Sequence, residues 1–319
     1  MSDNGQRSAA GTIAYHDWHF GGNGDVKTFM QTLATRYGEG TSLADFERKA
    51  QMMNYDTYRA MFEGLQAHMW TKNSGRLLWM THPAWPSNHW QIYTHDYDTH
   101  AAYYGVKKAT EPVHVQMNLP DYSVTVVNST RESSTGLTLE TRVFTLDGDL
   151  LSERKTSVDA KANDMVTLGD LGIAGHIATK GMVLVALRLR DGAGNLVSGN
   201  DYWPGKDDAS HRKLNALSEQ QIELQATGRT VEAERVVSVR LVNPGKTPAF
   251  AAKLTLVDAG GERILPALYS DNYVVVMPGE PRTITIRYPA KLGDKATIRV
   301  RGWNVKPASA RVASTTRAN

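Results

Sequence analysis

The stretch Gly75 to Gln116, GRLLWMTHPAWPSNHWQIYTHDYDTHAAYYGVKKATEPVHVQ, decides how this chain is read. Its apolar run Leu77-Leu78-Trp79-Met80 leads into a turn-rich segment holding Trp85, Pro86 and Trp90, which is how a buried parallel strand delivers side chains to a ligand-facing rim. No acid lies on that run. Tyr104 to Ala109 reads as the helix that follows. Together they predict the closing strand and helix of a barrel whose earlier strands lie outside this sequence.

Working upstream, Asp25 precedes Val26, Phe29, Met30, Leu33 and Tyr37, a helix-period stripe that stops at Gly38. Ser42-Leu43-Ala44-Asp45 resembles a capping box with Asp in place of Glu. Behind it, Phe46, Lys49, Ala50, Met53, Met61, Leu65 and Met69 recur at helical spacing, predicting one long helix. These helices are expected to pack outside the last strands, with Leu77 to Met80 as the eighth.

Downstream of Pro112 the period falls from 3.6 to 2. Val124 and Val126, then Leu137, Leu139 and Val143, then Val183, Val185, Leu187 and Leu189 alternate with mostly polar neighbours. Turn signals at Asp147-Gly148 and Asp191 to Asn195 separate them as in a sandwich that ends near Trp203-Pro204. Lys206 to Lys213 has the composition of a linker. A second alternating set follows in Val236 to Val242, Ala251 to Val257, Tyr273 to Met277, Thr283 to Tyr288 and Ala296 to Val300, with turns at Asn243-Pro244-Gly245 and Ala259-Gly260-Gly261. The fold class expected is therefore multidomain: a partial (β/α)8-barrel remnant, mostly helical with the last strand, then two all-β immunoglobulin-like sandwiches. The divisions are 12–115, 116–205 and 214–305, with 1–11 and 306–319 expected to lack order.

Length and charge narrow the partners. At 319 residues the chain is long enough for two or three domains of roughly 100 to 200 residues. Its 36 basic and 33 acidic residues are scattered without a block, so the net charge of +3 gives no reason to expect nucleic acid or membrane. The absence of cysteine excludes disulfides, thiolate metal sites and a cysteine nucleophile, and leaves the compartment open.

Trp79-Met80, Ala84-Trp85-Pro86-Ser87, and Tyr104-Gly105-Val106-Lys107-Lys108-Ala109 followed by Glu111-Pro112, His114 and Gln116 resemble the end of the barrel in the exo-β-D-glucosaminidase branch of glycoside hydrolase family 2. Tyr269-Ser270-Asp271-Asn272-Tyr273 with Pro278-Gly279-Glu280 resembles that family's last immunoglobulin-like domain. Where many relatives carry two asparagines before Ala-Trp-Pro, this chain has His82-Pro83. The resemblance implies a parent that removes non-reducing β-linked glucosamine or a related hexose from chitosan-type oligosaccharides by double displacement, without cofactor or metal. It places both catalytic carboxylates upstream of this sequence, so the chain alone is expected to be inactive. One implied partner, beyond an oligosaccharide, is a separately encoded N-terminal barrel segment. A different class of reading is a non-catalytic carbohydrate-binding or scaffold module.

The residues agree with an absent catalytic pair. Retaining hydrolysis needs two carboxyl groups about 5 to 5.5 Å apart. Asp17, Asp96, Asp98 and Glu111 all have plainer roles as turn formers, caps or ion-pair partners, and Glu63 stands one helical turn from Arg59, where a surface or interhelix ion pair explains it. Trp79 and Trp85 are the candidate sugar platforms, because an indole offers a flat apolar face to a pyranose while its N–H reaches a hydroxyl. His82 is the candidate hydrogen-bonding neighbour. His16 and His19, bracketing Trp18, are not the helical pair of a zinc protease, and no HExxH occurs, so no metal is expected. Asp25 beside Gly21-Gly22-Asn23-Gly24 disfavours phosphate at that helix start.

Overall fold

The computed structural model describes residues 26–84, 86 and 91–314. The readings made for 1–11, His16, Asp17, Trp18, His19, Gly21 to Asp25, Trp85, Trp90 and residues 315–319 lie outside the described residues.

Three helices form where the apolar stripes place them: α1 (Val26–Tyr37), α2 (Leu43–Gln66) and α3 (Ala101–Ala109). Ser42 caps α2 by accepting from the Asp45 N–H. The returning arm of the box lands one residue early, since Asp45 accepts from the Thr41 N–H at 3.0 Å and its other ties are to Arg48 and Lys49. The helices α2 and α3 cross closely at Gly105, where a Cβ would stand 2.5 Å from the Tyr55 carbonyl oxygen and 3.1 Å from the Arg59 nitrogen. Both contacts are backbone and cannot rotate away. Gly105→Ala should therefore destabilise the fold by about 1–3 kcal/mol, read as a lower urea midpoint at unchanged slope.

The predicted last barrel strand does not form. Residues 75–80 carry no ladder, Met80 sits at φ 55°, and Leu77 and Trp79 are 96% and 76% exposed. The apolar run encodes burial between neighbouring strands, and a strand exists only through the hydrogen bonds such neighbours supply. Among the described residues no segment pairs with it.

The first sandwich follows the alternation closely. Its smaller sheet orders β1 (Val113–Met117), β2 (Ser123–Asn128) and β5 (Asp164–Asp170); the larger orders β4 (Leu150–Ala160), β3 (Ser134–Phe144), β6 (Leu184–Arg190) and β7 (Leu196–Tyr202). All pairs are antiparallel, with Val115 opposite Val126 and Leu139 opposite Leu189, so inward side chains from both sheets meet in one core. A short helix, α4 (Ala174–Lys180), links the layers and buries Ile177.

The second sandwich stacks β12 (Val274–Val276), β10 (Ala249–Val257), β14 (Thr297–Arg301) and β15 (Ala308–Arg311) on a five-stranded sheet. That sheet orders β11 (Leu268–Tyr269), β13 (Arg282–Pro289), β9 (Glu234–Val242), β8 (Glu223–Val231) and β16 (Ala313–Ser314). Two expectations are corrected here. The segment after Val305 is ordered through Ser314: β15 pairs with β14, and β16 runs parallel to β8. Edge strands join through backbone groups, so an Ala- and Ser-rich segment needs no apolar face to be held. The supposed linker is a 3-10 helix, Asp208–Ala216, that buries His211 and Leu214. Arg212 donates to the Ala34 and Thr35 carbonyls and Asn215 to the Tyr37 carbonyl, which fastens this helix to the last turn of α1.

The helical layer shares one apolar cluster with the second sandwich. Tyr37 packs on Trp303 at 5.1 Å between centroids, Tyr104 on Tyr273 at 5.9 Å, and Trp203 on both Tyr55 and Phe250. Tyr269 to Tyr273 thus folds back onto α3, where Lys107 donates to the Tyr269 carbonyl and Lys108 pairs with Asp271. Among the described residues, no helix is long and apolar enough to cross a membrane.

Candidate functional site

The expected sugar-facing rim is the segment from Arg76 to His100. Arg76 lies over the Phe62 ring at 4.1 Å, which docks the segment on α2. Beyond it Leu77 and Trp79 point outward. The Thr81 carbonyl accepts from the Ile92 and Tyr93 N–H groups at 3.2 and 3.0 Å, drawing the two ends of the intervening turn-rich segment together. His82 is half-buried, and its ring stacks on Tyr97 at 4.5 Å and 15°. Of the three predicted residues, Trp79 and His82 therefore stand on one loop system, and Trp85 lies outside the described residues.

That loop system is held from below. Tyr93 bridges Thr99 in an antiparallel turn closed by the Thr94 N–H to the Asp98 carbonyl at 3.0 Å, and by the Asp98 N–H to the Thr94 hydroxyl at 3.0 Å. His100 bonds the Gln91 carbonyl through Nε2, and burial keeps its imidazole below its ordinary pKa. Arg263, from the turn between β10 and β11, pairs with both Asp96 and Asp98. These two acids are turn and ion-pair groups, in keeping with the reading made for them from sequence.

Below the rim the buried and half-buried carboxylates are tied to cations and donors. Glu63 is not a surface residue: it is 3% exposed, and its Oε1 accepts from His114 Nε2 at 3.1 Å, Asn200 Nδ2 at 2.7 Å and the Tyr202 hydroxyl at 2.7 Å. Its helical neighbour Arg59 pairs with Asp56 instead, and also donates to Asn200 Oδ1. The error has a physical source. Spacing along α2 reveals Arg59, but it cannot reveal that β7 turns Ser198, Asn200 and Tyr202 toward the helix.

Glu111 takes His114 Nδ1 at 3.1 Å, the Ser198 hydroxyl at 2.7 Å and Lys108 Nζ at 2.8 Å. Although burial opposes its charge, His114 and Lys108 bring its carboxyl down to about 2. Asp201, alternating to the other face of β7, is gripped by Arg188 and Arg282. Glu280 is held by Arg142 and Arg188, joining the two sandwiches. In the folded chain each of these carboxylates is committed to cations and hydrogen-bond donors. The junction of helices and sandwiches, lined by Tyr55, Lys108, Asp201, Asp271, Tyr273 and Arg282, has room for about one water and none for a sugar ring. Among the described residues no group of His, Cys, Asp and Glu is arranged to hold a metal ion.

The rim residue that sequence reading overlooked is Tyr97. Its signal is an aromatic between two acids in a turn, Asp96-Tyr97-Asp98.

Residues 200–305 match the family described as the exo-β-D-glucosaminidase Ig-fold domain, and residues 121–206 match the mannosidase Ig/CBM-like domain. Among curated proteins, the chain is 35% identical over 308 residues to an exo-β-D-glucosaminidase of Streptomyces avermitilis, covering 88% of this chain and 34% of that protein. It is 32% identical over 313 residues to the exo-β-D-glucosaminidase of Amycolatopsis orientalis, covering 88% of this chain and 30% of that protein. The chain thus spans about a third of the length of the curated relatives it matches. The crystal structure of the Amycolatopsis orientalis exo-chitosanase superposes with a TM-score of 0.86 at 30% identity, covering 93% of this chain and 38% of that one. A complex of a variant of that enzyme with PNP-β-D-glucosamine superposes at 0.84 and 31% identity, with the same coverage. The resemblance read from Trp79 through Gln116 and from Tyr269 to Tyr273 is borne out by these matches.

Proposed function

We propose, for a chain homologous to the C-terminal portion of glycoside hydrolase family 2 proteins of the exo-β-D-glucosaminidase type, that it supplies one wall of the sugar site and the supporting modules of a retaining exo-β-glycosidase acting on chitosan-type oligosaccharides. In this reading residues 12–115 are the C-terminal part of the barrel, and 116–205 and 214–305 are the two immunoglobulin-like modules. Trp79, Trp85 and His82 face the sugar. The two carboxyl groups that cleave the bond come from barrel strands outside this sequence, in the same polypeptide or in a separately encoded segment, and neither metal nor cofactor takes part.

The observation that carries the proposal is the contrast between rim and interior. Leu77 and Trp79 stand exposed on a segment without a ladder, a surface suited to packing against further strands and to stacking on a pyranose. Meanwhile the buried carboxylates Glu63 and Asp201 and the half-buried Glu111 and Glu280 are committed to donors and cations.

The purified chain should release no p-nitrophenol from p-nitrophenyl β-D-glucosaminide or β-mannoside. Turnover that disappears on substituting one of its own carboxylates overturns the proposal. The match of residues 121–206 to an Ig/CBM-like domain favours, as a second reading, a non-catalytic sugar-binding module. Calorimetric titration of the whole chain with glucosamine oligomers separates the two. Trp79→Ala weakens binding about tenfold if the rim is the site, and leaves it unchanged if a sandwich binds the sugar.

A further inference from the structure

We infer that Tyr97 is an additional sugar-contacting residue of the rim, and that Arg263 of the second sandwich is the positioning residue that holds it there. The inference rests on the sugar-site reading above and goes beyond Trp79, Trp85 and His82.

Three independent features meet at this residue. First, Tyr97 is 60% exposed while adopting φ 64°. A bulky side chain in the left-handed region costs about 1–3 kcal/mol, and exposure on this scale returns little of that through burial. Second, its ring stacks on that of His82 at 4.5 Å and 15°, so the histidine braces one face of an aromatic ring that is otherwise largely exposed, and such a ring stacks on the C–H face of a pyranose. Third, the residues on either side of Tyr97 are fixed from another domain. Arg263 donates through Nη1 to Asp98 at 2.8 Å and through Nη2 to Asp96, while Thr94 ties the same two residues from within the turn. A planar guanidinium reaching one carboxylate on each side of a strained residue fixes the direction of its side chain. The second sandwich is thereby connected to the geometry of the rim, 165 positions away in sequence.

The test uses the whole chain and a β-1,4-linked glucosamine tetramer, followed by isothermal titration and by amide hydrogen exchange over residues 94–98. Tyr97→Ala is expected to weaken binding about three- to tenfold, with Tyr97→Phe close to the parent because the stacking face is kept. Arg263→Ala is expected to weaken binding to a similar degree and to speed exchange of the Thr94 to Asp98 amides, a readout that sugar contact alone would not move. If Tyr97→Ala binds as the parent does while Trp79→Ala is weakened, the role of Tyr97 is overturned and the sugar-site reading stands. If the parent chain does not bind the tetramer, both fall together. Unchanged exchange in Arg263→Ala overturns the positioning role.

Discussion

Glu63→Ala should lower the stability of the chain by about 3–5 kcal/mol, the loss expected when one partner of a buried charged network is removed. Three donors converge on this single carboxylate, from His114, Asn200 and Tyr202. Alanine removes the acceptor they share, leaving His114 Nε2 and the Tyr202 hydroxyl proton buried without it, while Asn200 Nδ2 keeps the Val115 carbonyl. It also removes a charge that sustains Arg59: burial works against that guanidinium, and Glu63 leads the groups that hold it above its ordinary pKa. Because Glu63 lies on α2 while His114 belongs to β1, and Asn200 and Tyr202 to β7, the damage falls on the joint between helical layer and first sandwich. Glu63→Gln keeps an acceptor for Asn200 and Tyr202 and should cost clearly less, which distinguishes the loss of charge from the loss of all three bonds. Urea unfolding followed by tryptophan fluorescence measures both variants. A loss under about 1 kcal/mol for alanine would contradict the assignment of this cluster as the joint.

The same joint explains why parts of the molecule were legible and others were not. Stripes such as Phe29-Leu33-Tyr37 and alternations such as Val183-Val185-Leu187-Leu189 report burial against the rest of the chain, and both elements form as read. The run Leu77 to Met80 carries an equally strong apolar signal, but that signal names no partner, and no described strand lies beside it. Ser198 and Asn200 on one face of β7 and Asp201 on the other look like exposed polar positions of an edge strand, yet all three are buried because α2 and the second sandwich cover β7 from either side. At the rim, tryptophan chemistry singled out Trp79. Tyr97 passed unnoticed because its significance lies in a backbone angle and in a cation from a distant turn, neither of which has a local pattern.

The joint should also respond to pH, through His114. Its imidazole is fully buried, with Glu111 on Nδ1 and Glu63 on Nε2; Lys108 and Ser198 stand behind Glu111, and Tyr202 and Arg59 behind Glu63. Burial alone would depress the pKa of the ring, but the bonds to Glu111 and Glu63 outweigh it and hold the pKa above the ordinary 6.5. The native state therefore keeps a proton that the unfolded chain gives up near 6.5. Its stabilisation is complete below that pH and is lost as the pH rises through the higher native value. Glu111 works in the opposite sense: its carboxyl, brought down from 4.5 to about 2, stabilises above 4.5 and loses that contribution as the pH falls toward 2. The joint is strongest between these limits, from about 4.5 to 6.5. His114→Gln should accordingly cost about 3–5 kcal/mol at pH 6, where it removes the buried cation that two carboxylates share, and its deficit against the parent should shrink as the pH is raised toward 9. His100 and His211, both held below their ordinary pKa by burial, titrate in the two proteins alike, so the difference between their melting-temperature curves isolates His114. Parallel curves from pH 5 to 9 would mean that the ring has the same pKa in the native and unfolded states, and that the bonds to Glu111 and Glu63 do not hold its proton.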